Sequence, residues 1–260
     1  MNYPFCLISV FTKEPDLIGN ISAVVELTDS LSKEEMQRIA RDLNQPATTF
    51  IRRKENDTTW QVHWFAPDAE IPLCGHGSAA AIVYLSRSIK EEIRLVSDNG
   101  ILSGVAESDH FSLTLPVGKI FDSTEPPKEI SQALGVHALD YCTTSDKDIV
   151  LVKNEEELKN MRPNFAQLKQ LKPFGYAVTA KGDTVDFVSR TLVPKVKQLE
   201  DHATGSSHTV LLPYWQERLK KSQFETKQLS PRGGFFTCFI NSTSVILKGH
   251  FKFIAKGELF

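Results

Sequence analysis

Residues 70–85 read EIPLCGHGSAAAIVYL. A carboxylate and a thiol lead into Gly75-His76-Gly77, and an alanine-rich apolar run follows. Four chemistries fit such a stretch: a metal ligand, a Cys–His nucleophile pair, an anion cradle of backbone amides, or a turn that only packs. A second stretch, EDHATGSSHTVLLPYW at residues 200–215, repeats the layout. Glu200 precedes Gly205 by five residues, as Glu70 precedes Gly75, and the two motifs lie 130 residues apart in a chain of 260.

A glycine-rich turn that opens a helix leaves backbone N–H groups pointing outward, with the positive end of the helix dipole behind them. That arrangement binds carboxylate or phosphate. Glycine lets the backbone approach closely; its competing use is to pack a helix against a strand. One such turn favours packing. Two at matched positions favour a site, with a small anion between two positive helix ends. Gly75, Gly77, Gly205 and Ser206 are the candidate binding residues. Cys74 would be a thiolate base at a helix start, but its repeat mate is Thr204, so a two-thiol racemase lacks its second thiol. Residues two apart in a helix do not face each other, so Cys74 and His76 are expected not to meet, and Cys74 reads as a small buried hydrophobe. Asp201, His202 and His208 are the other metal-ligand types, with His76 in the matching turn. A spacing of six does not place two histidines on one helical face as HExxH does, so no metal is expected. His202 and His208 read as polar residues on the first turns of a helix. Glu200 and Asp201 are adjacent carboxylates, and like-charge proximity raises the pKa of one member of such a pair. Asp201 is thus a candidate general acid/base, with a helix-dipole partner as the competing role.

The elements around these turns come from periodicity and punctuation. Strands are expected at 4–11, 21–27, 48–53 and 60–66, with an amphipathic helix over 30–44 capped by Ser30 or Ser32. A helix begins at Gly75 and runs to Leu85. Residues 92–116 alternate as strands around an Asn99-Gly100 turn. Pro116–Pro127 is the expected linker. The second half predicts a helix at 127–135, strands at 139–145 and 148–153, helix over 154–171 interrupted at Pro163, and strands at 174–180 and 184–189. A turn then opens a helix, and three strands end the chain: GGFFTCFI, SVILKGHF and KFIAKGEL. Each glycine turn is preceded by a strand ending in proline and followed by a glycine-containing strand pair, which predicts an internal duplication. The domains are expected at 1–116 and 127–250, with 251–260 returning to complete the first sheet.

Composition bounds the partners. Hydrophobic residues are 41% and charged residues 24%, as in a soluble globular chain with a sizeable core. A net charge of −2 points away from nucleic acid and anionic membranes. The N-terminus lacks a basic start followed by an apolar core, and no apolar run approaches membrane-spanning length. The four cysteines show no paired spacing and read as reduced thiols in a cytoplasmic protein.

FTKEPDLIGNISAVVEL, WFAPDAEIPLCGHGSAAA, and RTLVPKVKQLEDHATGSSHTVLLPYW with SPRGG follow the order of motifs in one family. In these stretches the chain resembles the PhzF-like, phenazine-biosynthesis proteins. The resemblance implies an α+β, diaminopimelate-epimerase-like fold: two pseudo-symmetric domains, each a curled, mostly antiparallel sheet around a central helix, with the active site between them. It implies a homodimer, no metal or organic cofactor, and an isomerase or epimerase that shifts a proton on a small carboxylate-bearing metabolite. It gives His76 a substrate-positioning or proton-relay role and Asp201 an orienting one. It also gives Ser206 and the turn amides the substrate carboxylate, and Asn20 a place in the GN loop at the cleft. The sequence departs from the family at NQPATTF, where Ala47 stands in place of the glutamate proposed as proton-shuttling base. Alanine cannot move a proton. The alternative reading is therefore a catalytically weakened member that binds a small anion or a protein partner.

Overall fold

The computed structural model describes residues 2–54 and 58–260. The chain divides into two compact units, Met1–Leu115 with Ile246–Phe260, and Pro116–Val245. Each is a curled, mostly antiparallel sheet around a central helix, buried at every residue in the first unit and along most of its length in the second.

In the first unit β1 (Tyr3–Thr12) and β2 (Asn20–Glu26) pair antiparallel. Gly19 makes the entry to β2 possible: its φ is +67°, and a Cβ there would lie 2.1 Å from the Val10 carbonyl oxygen. Helix α1 (Lys33–Leu43) leads to β3 (Ala47–Arg53), which runs parallel to β2. Ser32 caps α1 reciprocally: its hydroxyl accepts the Glu35 N–H at 3.2 Å, and the Glu35 carboxylate accepts the Ser32 N–H at 2.9 Å. Strand β4 (Thr59–Phe65) pairs antiparallel with β3 and with the short β5 (Glu70–Ile71). Helix α2 (Gly75–Leu85) follows, then β6 (Ile93–Ser97), parallel to β4, and the meander of β7 (Gly100–Glu107) and β8 (His110–Pro116). Every residue of α2 is buried. A helix apolar on all sides belongs inside a core, and α2 packs on β1, β2, β3, β6 and β7.

The second unit opens with β9 (Ile120–Thr124), α3 (Lys128–Leu134), β10 (Asp140–Thr144) and β11 (Asp148–Leu151). Short helices α4 (Glu155–Asn160) and α5 (Phe165–Gln170) lead to β12 (Tyr176–Lys181), β13 (Phe187–Val193) and β14 (Leu199–Asp201). Helix α6 (Gly205–Leu219) precedes β15 (Gln223–Gln228) and β16 (Gly234–Ile240). The pairing repeats that of the first unit. Strand β12 runs parallel to β11 and antiparallel to β13; β13 pairs antiparallel with β14 and parallel with β15; β15 pairs antiparallel with β16. The same order holds for β2, β3, β4, β5, β6 and β7, with the enclosed helix inserted at the same point, so the units are pseudo-symmetric.

Pro213 lies inside α6 and has no N–H for the Thr209 carbonyl one turn back. The Gly118 N–H takes that carbonyl at 3.0 Å, so the buried acceptor is satisfied.

The last strand, β17 (Ser244–Leu259), pairs antiparallel with β1, Tyr3 opposite Leu259, and also with β8. It closes the first unit's sheet in the ring β17–β1–β2–β3–β4–β6–β7–β8.

Three local expectations change. The stretch expected as linker holds β9, paired antiparallel with β10: its prolines flank a β-prone run rather than interrupt it. Strand β15 was not expected, because QFETKQ looks polar; its alternating Phe224, Thr226 and Gln228 are all buried. The final two expected strands are one, since Gly249 marks no turn but makes room for Phe11, whose Cδ1 would lie 2.9 Å from a Cβ there.

Candidate active site

In the first unit, alternation along β2 and β3 puts Asn20 and Ser22, and Ala47 and Thr49, on faces shared by every second residue. The Ser22 hydroxyl lies 3.1 Å from the Ala47 carbonyl oxygen and 2.8 Å from Thr49 Oγ1. This face meets the start of α2 at Gly77. A Cβ on Gly77 would fall 2.6 Å from Thr49 Oγ1, 2.8 Å from Trp64 Cδ1 and 3.0 Å from Cys74 Sγ. Gly77 is therefore glycine for packing. Trp64 Nε1, on the indole edge that reaches Gly77, is buried and has no hydrogen-bond partner among the described residues. Asn20 is fully buried at the head of β2, its Oδ1 accepting the Ile21 N–H at 3.1 Å. Ala47 is fully buried as well.

Cys74 and His76 do meet, contrary to the expectation from helical spacing. Cys74 is the N-cap, with extended φ −125° and ψ 102°, so it stands outside the helical repeat. Its sulfur accepts the Gly77 N–H at 3.3 Å and lies 3.5 Å from His76 Nδ1. The thiol thus caps the helix and flanks the imidazole. His76 is 4% exposed.

In the second unit, Glu200 and Asp201 are adjacent on β14 and so point to opposite faces. Glu200 forms a two-pronged pair with Arg190, both contacts at 2.8 Å, and Arg190 also donates to the Leu158 and Met161 carbonyls. The expected like-charge pair is therefore parted by the strand. Asp201 Oδ2 accepts the Thr204 hydroxyl at 2.7 Å, and Oδ1 accepts the His202 N–H at 3.0 Å. Gln228 completes the turn by accepting the Thr204 N–H at 2.7 Å. Because the Thr204 hydroxyl is turned to Asp201, α6 has no side-chain cap. The amides of Gly205, Ser206 and Ser207 therefore remain available to an anion.

His208 lies on the first turn of α6, as expected, and inside the core. It is fully buried, with Nδ1 2.9 Å from the Thr204 carbonyl and Nε2 2.9 Å from Thr226 Oγ1. Its ring lies 4.1 Å from that of Phe236, centroid to centroid. Burial pushes its pKa down to about 4, against the opposing bond to Thr204. Burial also lowers His202, opposed by Asp201 and assisted by Arg232. Sequence reasoning missed Lys147, a buried ammonium 3.0 Å from Ser206 Oγ and paired with Asp146 at 2.8 Å. Its only signal was position: the strand registers make it the counterpart of Ser22.

None of the histidines weighed as metal ligands belongs to the one ligand-type cluster found among the described residues: His63, Glu70 and Asp98. Lys33 already sits there, 2.9 Å from Glu70 and 3.8 Å from Asp98. All four cysteines are buried, and none is in a disulfide. Among the described residues, no helix is long and apolar enough to cross a membrane.

Known proteins resemble this chain in sequence and fold. An uncharacterized isomerase of Pseudomonas aeruginosa is 34% identical over 100% of this chain and 99% of its own. The crystal structure of a phenazine biosynthesis protein of the PhzF family from Enterococcus faecalis matches with a TM-score of 0.88 at 34% identity, covering 100% of both chains. A hydroxyproline epimerase from Agrobacterium vitis shares the fold alone, with a TM-score of 0.71 at 9% identity over 99% of this chain and 92% of its own. The fold is epimerase-like. The phenazine biosynthesis-like (PhzC-PhzF) family model matches residues 8–244, and the chain belongs to that family of isomerases.

Proposed function

We propose that the protein catalyses a cofactor-independent proton shift on a small carboxylate-bearing metabolite, with His76 and Asp201 handling the proton. The observation that carries this is the start of α6. Asp201 draws the Thr204 hydroxyl away from the helix, so three amides and the positive helix end are left for a carboxylate. Ser206 adds a hydroxyl at the same turn. Supporting observations in the first unit are an imidazole flanked by a thiol at a helix start and the unpartnered Trp64 N–H. An unmade bond to a buried donor costs about 1–3 kcal/mol, which an acceptor on a ligand would return. In this reading Gly75 and Gly205 let the ligand approach, Asn20 borders it, and Gly77 acts through packing.

The test is deuterium exchange. A panel of small cyclic and unsaturated carboxylic acids is incubated with the protein in D2O and followed by NMR and mass spectrometry. Enzyme-dependent incorporation at a carbon near the carboxylate, with or without double-bond migration, is the expected result. Absence of exchange in the natural chain, with exchange created by Ala47→Glu, would overturn the isomerase reading. That outcome would establish the second reading, a ligand-binding member without turnover. One observation favours this alternative: Ala47 is fully buried and presents no titratable group on the face where the family places its base.

A further inference from the structure

Lys147 is 5% exposed, and its ammonium lies 3.0 Å from Ser206 Oγ and 2.8 and 3.0 Å from the Asp146 carboxylate oxygens. A buried cation at the positive end of a 15-residue helix is electrostatically out of place. Packing does not force it there by default: Gly175 leaves the room, since a Cβ on it would come within 3.4 Å of Lys147 Cγ and 2.7 Å of the Leu192 carbonyl.

The direction of the bond matters. An ammonium only donates, so Ser206 Oγ must accept from Lys147. A hydroxyl has one proton, and no acceptor for the Ser206 proton is found among the described residues. The Ser206 carbonyl is itself taken by the Thr209 hydroxyl at 2.7 Å. Lys147 therefore leaves Ser206 with a free donor beside the uncapped amides of α6.

We propose that Lys147 is a positioning residue for the carboxylate of the substrate. It holds the Ser206 hydroxyl as a donor at the α6 turn. This rests on the carboxylate reading above. Asp146 neutralises the ammonium in the free protein and keeps it in place.

The experiment is titration of the 15N-labelled full chain with benzoate, with benzamide as the uncharged control. In the natural chain benzoate is expected to shift the amides of Gly205, Ser206 and Ser207. Lys147→Met frees Ser206 Oγ from accepting and is expected to weaken benzoate about tenfold, roughly the worth of one hydroxyl-to-carboxylate hydrogen bond. Lys147→Arg is expected to recover part of that loss, and benzamide to be indifferent throughout. A folded Lys147→Met with natural benzoate affinity would overturn the proposal. So would an equal loss for benzoate and benzamide, which marks a packing defect. If Lys147→Met does not fold, Lys147→Leu, which also removes both the charge and the donor, takes its place under the same two criteria. If benzoate leaves the three amides of the natural chain unmoved, the carboxylate reading itself falls, and Lys147 with it; loss confined to the variants upholds both.

Discussion

Acidification puts a number on the role of His208. The ring is fully buried, both its nitrogens are engaged, and burial depresses its pKa from 6.5 to about 4. A histidine with a lowered folded pKa binds fewer protons folded than unfolded, so its stabilising contribution is present above the unfolded value and is lost as pH falls toward the folded one. Integrating the linkage between these two values, the loss from about pH 7.5 to about pH 5 is about 2 kcal/mol, and it levels off near 3 kcal/mol below about pH 4. The perturbation that isolates it is His208→Gln, which removes the proton site. Urea unfolding of both proteins at the two pH values gives a difference of differences in which other carboxylates and histidines cancel. The stability advantage of the natural chain over the variant should shrink by about 2 kcal/mol on acidification. An advantage that does not change with pH would refute the assignment of His208 as a neutral core residue.

Further outcomes follow from the same packing. Gly77→Ala gains about 1 kcal/mol of helix propensity but forces a Cβ against Thr49, Trp64 and Cys74, a cost of about 1–3 kcal/mol, so thermal unfolding should show a net loss of stability. Glu200→Ala strands a buried Arg190 guanidinium and should cost about 3–5 kcal/mol by denaturant unfolding. Cys74→Ala removes the sulfur that caps α2 and flanks His76; it should lower stability by about 1 kcal/mol and move the His76 ring resonances seen by NMR.

The fold was legible because it is written twice. The matched turns at Gly75 and Gly205, the apolar runs after them and the serine cap of α1 are local signals, and local signals survive in a single sequence. Strand β15 was hidden because its buried face carries Thr226 and Gln228, whose partners, His208 and the Thr204 turn, lie far off in the chain. The candidate residues could be placed at helix starts by their spacing, but their bonds could not. The Cys74–His76 contact depends on the extended backbone of an N-cap, which helical spacing rules misjudge. The contact of Lys147 with Ser206 spans 59 residues and depends on strand register. Glu200 and Asp201 looked like a coupled pair until alternation along β14 separated them.

The central claim is that His76 and Asp201 move a proton on a bound carboxylic acid. It is tested most directly by the rate of solvent deuterium incorporation into the acid that the natural chain turns over, compared with His76→Ala and Asp201→Asn. The account predicts incorporation by the natural chain and a loss of at least about a hundredfold in each variant, the usual contribution of a positioned acid or base. Incorporation at the natural rate in both variants, or none in the natural chain with any acid it binds, would contradict it.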